Sequence, residues 1–133
     1  QRKEKEIGRE DESTFNIKVG NGALLDVQFA VQYLQLKYQV VESNTLLAID
    51  KLEKKVPEKL PWAALKEALK FYFKLESVQD LRGVAEADRI SAEVESNRQL
   101  ALLLGERDPE VFLRHYRETA RTVREIYLEV FAD

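Results

Sequence analysis

FNIKVGNGALLDVQFAVQYLQLKY, residues 15–38, is the stretch on which the fold turns. Phe15, Ile17 and Val19 alternate with Asn16 and Lys18 in the period of a β-strand. A strand this short does not stand as an independent sheet, so it is expected to pair with something else. Gly20-Asn21-Gly22 reads as a turn, because both residue types tolerate a positive φ. From Ala23 onward Leu24, Val27, Val31, Leu34 and Tyr38 recur every three or four residues, the spacing of one helix face. Leu25, Phe29 and Leu36 add a second apolar face, which predicts a central helix covered by its neighbours. Asp26 falls in the first turn, where the helix dipole favours a carboxylate.

On the upstream side, residues 1–14 are nearly all charged or polar with mixed signs and read as a solvated tail or linker. A mobile arm that contacts a partner is the competing reading. Downstream, Ser43, Asn44 and Thr45 offer N-caps for a second helix buried through Leu46, Ile49, Leu52 and Val56. Residues 57–61 close it, and Pro61 suits the first turn of a third helix. Ala64, Ala68, Phe71, Leu75 and Val78 follow the seam spacing of packed antiparallel helices, with Trp62, Leu65, Leu69 and Tyr72 beside them. Gly83 marks an end or a break, and the pattern does not fix a boundary between 82 and 91.

Ser91 is a candidate cap for a fourth helix whose apolar end is Leu100, Leu102, Leu103 and Leu104, closed by Gly105. Asp108-Pro109 is a cap followed by proline at the first helical position. Phe112, Tyr116, Thr119, Val123, Ile126 and Val130 then give the clearest periodic signal in the chain. Residues 15–133 are therefore expected to form an all-α bundle of about five helices with a short extended segment near the N-terminus.

The 133 residues suffice for one core without staples. A net charge of −3 argues against general nucleic-acid affinity and against an anionic membrane surface. With no Cys there is neither a disulfide framework nor a thiolate metal site, which suits a cytoplasmic location. No apolar run approaches the roughly 18 residues of a membrane span. The chain starts at Gln1 without a signal-peptide pattern and contains no Met, so a piece of a longer protein is expected.

Chemistry-bearing constellations are few. His115 is the one histidine, so neither a zinc site of the HExxH kind nor a Ser-His-Asp arrangement has its parts, and an ordinary residue at the core boundary is expected. Glu110, Glu118 and Glu125 interleave with Arg114, Arg117, Arg121 and Arg124 opposite the apolar stripe. That pattern predicts a solvated face laced by ion pairs, with a surface for an anionic partner as the alternative. Nucleotidyl transfer needs acidic residues such as Asp-x-Asp for Mg²⁺ beside a Gly-Ser turn, and the chain has neither. The Gly20-to-Gly22 turn ahead of a helix, with Lys18 nearby, fits either backbone N–H groups aimed at an anion or a tight packing turn.

Ile17-Lys18, Gly20-x-Gly22, Leu24-x-Asp26-Val27-Gln28-Phe29 and the following Val31-Gln32-Tyr33-Leu34-Gln35-Leu36 resemble a signature of glutamine synthetase adenylyltransferases. Over the glycines and aspartate the stretch is also similar to a motif of PII uridylyltransferases. The continuation from Phe29 to Leu36 favours the adenylyltransferase. Two positions depart: Ala23 stands where that family has a second glycine, and Gln28 where it has an acidic residue. Glutamine is common there in the uridylyltransferases.

The resemblance implies a helical domain directly after a nucleotidyltransferase domain, in a parent that moves AMP from ATP, with Mg²⁺, to a tyrosine of glutamine synthetase. The implied partners are that upstream domain, glutamine synthetase and the PII protein, with no nucleic acid and no membrane. The chain itself carries no cofactor, no catalytic residue and no metal ligand on this reading. Lys18, Gly20, Gly22, Asp26 and Gln28 become positions at a domain junction or nucleotide, with the short strand free to pair with the catalytic domain. A non-catalytic helical interaction module, or the matching domain of a PII uridylyltransferase, is the alternative.

Overall fold

The computed structural model describes residues 14–132. The tail expected upstream therefore lies outside the described residues except for Thr14, which opens strand β1, Thr14–Asn16. β1 pairs antiparallel with β2, Arg89–Ser91, placing Phe15 opposite Ile90. The extended segment is shorter than its alternation predicts because Asn16 turns the chain. Its Oδ1 accepts from the Lys18 and Val19 N–H groups, both at 2.9 Å. Within this chain the strand finds a partner in β2.

Five α-helices follow among the described residues: α1 Leu24–Tyr38, α2 Thr45–Lys55, α3 Trp62–Arg82, α4 Arg98–Leu103 and α5 Pro109–Val130. Of the three candidate caps for α2, Asn44 serves, accepting the Leu47 N–H at 3.0 Å. Asp108 caps α5 through the Val111 N–H at 2.9 Å, with Pro109 at the first helical position. Gly83 ends α3 in the left-handed region at φ 65°. Gly105, at φ 79°, closes α4 in a Schellman pair: Glu106 N–H donates to Ala101 O and Gly105 N–H to Leu102 O.

Ser91 is not a helix cap. It belongs to β2, and its Oγ accepts the Glu93 N–H at 2.9 Å. A 3₁₀ turn, Val94–Asn97, separates it from α4. Buried Asn97 explains the late start, since its Nδ2 donates to the Ser91 and Glu93 carbonyls at 2.8 and 3.2 Å and holds this backbone out of the helical ladder. Leu100 and Leu104 are buried, whereas Leu102 and Leu103 face solvent.

α3 packs antiparallel to α5, as its seam spacing anticipates. Phe71 meets Phe112, His115 and Tyr116 on α5, and farther down α3 Ala64 and Ala68 share a groove with Thr119 and Thr122. α1 and α5 run parallel. Asp26 reaches Arg124 at the start of their seam and the Tyr33 ring lies 4.9 Å from Phe131 at its end. Val27, Ile49, Leu52, Leu69, Tyr72, Leu75 and Phe112 are fully buried where the helices converge.

The second face expected to be covered on α1 is open: Phe29 is 48% and Leu36 81% exposed. α2, α3 and α5 all contact α1, and its buried residues Leu24, Val27, Ala30, Val31 and Leu34 share one face, which leaves the opposite face in solvent. No helix among the described residues is long and apolar enough to cross a membrane.

Candidate functional site

Ile17 anchors the start of the signature: it is buried, and its N–H donates to Asp88 O at 2.8 Å, next to β2. The chain then doubles back on itself. Gly20 N–H donates to Asn16 O, Ala23 N–H to Gly20 O, Leu24 N–H to Ile17 O and Leu25 N–H to Lys18 O. Together with the Lys18 and Val19 donors held by Asn16, most backbone N–H groups of the loop have acceptors inside it. An anion cradle needs those donors aimed outward. The packing-turn reading holds instead.

Gly22 is the pivot of the turn. It sits at φ 73°, and a Cβ placed there would fall 1.9 Å from the Ala120 carbonyl oxygen of α5. Only glycine permits both the left-handed backbone and that approach. Its N–H donates to Asp26 Oδ2 at 2.6 Å, and its carbonyl accepts a short hydrogen bond from the buried Tyr72 hydroxyl on α3. A single residue thus ties α1, α3 and α5 together.

Asp26 completes this arrangement. It is the third helical residue of α1, and the same Oδ2 that accepts Gly22 N–H lies 3.1 Å from Arg124 Nη1. The carboxylate sits where a capping-box residue would, but it accepts the N–H of Gly22, one residue ahead of the N-cap, whose own N–H donates to Gly20 O. Here the N-cap Ala23 supplies no side-chain bond, and the ion pair to α5 takes its place. Arg124 also lies over the Tyr127 ring at 4.8 Å. The arginine line read from the sequence therefore loses a member, because Arg124 turns into the α1–α5 seam.

The two departures from the signature have different consequences. Ala23 is buried at φ −89°, ordinary for any residue, so a second glycine is not needed. Gln28 lies about 200° around the helix from Asp26, half-buried and apart from the Gly22 pivot. Beside the turn, Lys18 points outward. It is half exposed, with Nζ 3.7 Å from both Glu76 Oε2 and Asp88 Oδ1.

The structure thus brings Gly20, Gly22 and Asp26 into one turn and leaves Lys18 and Gln28 on its margins. Sequence reasoning missed Tyr72, Ala120 and Arg124 as partners of the turn. Tyr72 was legible only as an apolar-face residue and Arg124 only as a surface charge. The small side chain of Ala120 beside the buried stripe was the one available signal.

His115 lies at the boundary as expected. Its ring stacks 4.2 Å from Phe71 and Nδ1 meets Glu106 Oε2 at 2.8 Å. Among the described residues no three His, Cys, Asp or Glu side chains gather in one place. The charged face is solvated as expected, with Arg114, Arg117, Arg121, Glu110, Glu118 and Glu125 all exposed, but these arginines and glutamates do not close to ion pairs with one another. A shallow groove is lined by Val94, Glu110, Leu113, Arg114, Arg117, Glu118 and Arg121.

A family model described as GlnD PII-uridylyltransferase matches residues 1–131 of the chain. No curated protein and no solved structure matches it.

Proposed function

Because this chain belongs to the GlnD PII-uridylyltransferase family, we propose that it is the helical domain of a nucleotidyltransferase and acts by support rather than catalysis. The carrying observation is the Gly22 pivot. The signature glycine and aspartate are engaged with Tyr72, Ala120 and Arg124, so they serve to fix the first helix against the bundle. The resemblance of residues 15–38 assigns ATP and Mg²⁺ to a nucleotidyltransferase domain of the parent protein.

The finer reading is a glutamine synthetase adenylyltransferase, supported by the run from Phe29 to Leu36. Gln28 and the description of the matching family favour the second reading, a uridylyltransferase acting on PII. On either reading the outward Lys18, between Glu76 and Asp88, is the signature position best placed to meet a neighbouring domain.

The test takes the complete gene product that contains this sequence and supplies α-phosphate-labelled ATP with glutamine synthetase, or labelled UTP with PII. Label on glutamine synthetase supports the first reading, and label on PII selects the second. Transfer to neither overturns both. Transfer by the rigorously purified 133-residue chain alone overturns the supporting role.

A further inference from the structure

The end of α3, strand β2 and the 3₁₀ turn border a cavity of about 280 Å³. Gln79 and Asn97, both buried, belong to its wall. Gln79 Nε2 donates to the Ala87 and Arg89 carbonyls, and its Oε1 accepts from Arg82 Nη1 at 2.5 Å. Arg82 Nε donates to Gln99 Oε1 at 3.2 Å. Two neutral amides thus hold this guanidinium, and no carboxylate among the described residues pairs with it. Its Nη2 keeps both N–H groups. Arg89 lines the same cavity, with Nη1 3.2 Å from Thr14 Oγ1.

Asn97 supplies a second, independent observation. Its Nδ2 donates to the Ser91 and Glu93 carbonyls, which fixes the orientation of the amide. Its Oδ1 accepts nothing from the described residues and is not sealed in the core, so it opens onto the cavity. In a residue only 3% exposed, an acceptor left this way calls for a donor. The helix dipole accounts for a cation in the last turn of α3, but not for an open amide oxygen in the same wall.

Two arginines and one carboxylate, the solvent-exposed Glu86, line the cavity, so its sign is positive. Val84, Ile90 and Leu100 give it an apolar side. The lining suits an anion with a short aliphatic body, and the volume limits it to about ten heavy atoms or fewer. Guanidinium groups take carboxylates well. Asn97 Oδ1 adds the need for a donor next to that carboxylate. A hydroxyl provides one without charge, whereas an ammonium would bring a further positive charge beside Arg82 and Arg89.

We propose that this cavity binds a small hydroxycarboxylate, its carboxylate on Arg82 and Arg89 and its hydroxyl donating to Asn97 Oδ1. The site shares no residue with the Gly22 turn and does not depend on which nucleotide or target the family reading assigns.

Chemical-shift titration of the ¹⁵N-labelled full chain with sodium lactate, at constant ionic strength, tests it. Lactate is expected to saturate at millimolar concentration and to shift the amides of residues 89–97 most. Propionate lacks the hydroxyl and alanine replaces it by an ammonium, so each should bind about fivefold more weakly or worse. Arg82→Gln and Arg89→Gln should each weaken lactate about tenfold, and Arg98→Gln, outside the lining, should leave it unchanged. The ligand series on the wild-type chain decides independently of how the variants fold. Equal affinity for lactate and propionate, tighter binding of alanine or inorganic phosphate, or shifts centred elsewhere would each overturn the proposal. So would an absence of saturation below about 50 mM, or an equal loss in Arg98→Gln and Arg82→Gln.

Discussion

Asp26 and Arg124 meet at 3.1 Å across the seam where α1 and α5 run side by side in the same direction. Their side chains are 14% and 27% exposed, so the pair is shielded well enough to matter beyond a surface ion pair. Parallel helices have no tight turn between them to set their register. Here the register is set by this pair and by the contact of Gly22 with Ala120 one helical turn earlier.

Asp26→Ala removes both the Gly22 N–H acceptor and the partner of Arg124, and should cost about 2 kcal/mol. Arg124→Ala should cost less, because Asp26 keeps its bond to Gly22 and remains reachable by water. Urea unfolding of the two single variants and the double variant measures the coupling, expected near 1 kcal/mol. Strict additivity would show that the pair contributes nothing to register.

Gly22→Ala meets both a left-handed backbone and the Ala120 carbonyl, and should cost about 3 kcal/mol or more. Gly83→Ala provides the control. Gly83 has φ 65° but nothing within 4 Å of a new Cβ, so only the backbone penalty of about 1 kcal/mol applies. Equal losses in chemical denaturation would show that the close approach to α5 is not limiting.

The seam between α2 and α3 should give stability a pH-dependent edge at each end. The hydrogen bond from Lys66 holds the Asp50 carboxyl below its ordinary range, and the same bond from the Asp50 side raises Lys66. Glu42, bonded by Lys51 and the Asn44 N–H, and Glu58, bonded by its own N–H and the Tyr38 hydroxyl, are lowered as well. A lowered carboxyl contributes fully above its unfolded pKa of about 4 and loses that contribution as pH falls through the folded value. A raised lysine contributes fully below about pH 10.4 and loses that contribution as pH rises through its folded value. Urea midpoints should therefore plateau between these limits, and Asp50→Asn should shallow both edges. An unchanged profile in that variant would exclude the Asp50–Lys66 bond as a source.

What the sequence made legible was governed by local rules. Asn44, Asp108, Pro109, Gly83 and Gly105 act through neighbours a few residues away, and their roles could be read directly. Ser91 satisfied the same local rule but was claimed by a strand whose partner, β1, lies some 75 residues upstream. The Gly22 pivot was half legible. A positive φ is a local property, whereas contacts with Tyr72, Ala120 and Arg124 depend on how three helices converge. Periodicity likewise counted two apolar faces on α1 without revealing how many neighbours would arrive to cover them.

That open face gives the last expectation. Leu34 is buried beneath α1, while Phe29 and Leu36 stand on its outer side. Leu34→Ala should cost about 2–5 kcal/mol through lost burial and a cavity. Phe29→Ser and Leu36→Ser should each change stability by no more than about 0.5 kcal/mol, because little area leaves contact with the core. Thermal and urea unfolding of the three variants separates the faces. A large loss at Leu36 would mean that the outer stripe is covered in solution, and sedimentation of the wild-type chain would then report whether another copy covers it.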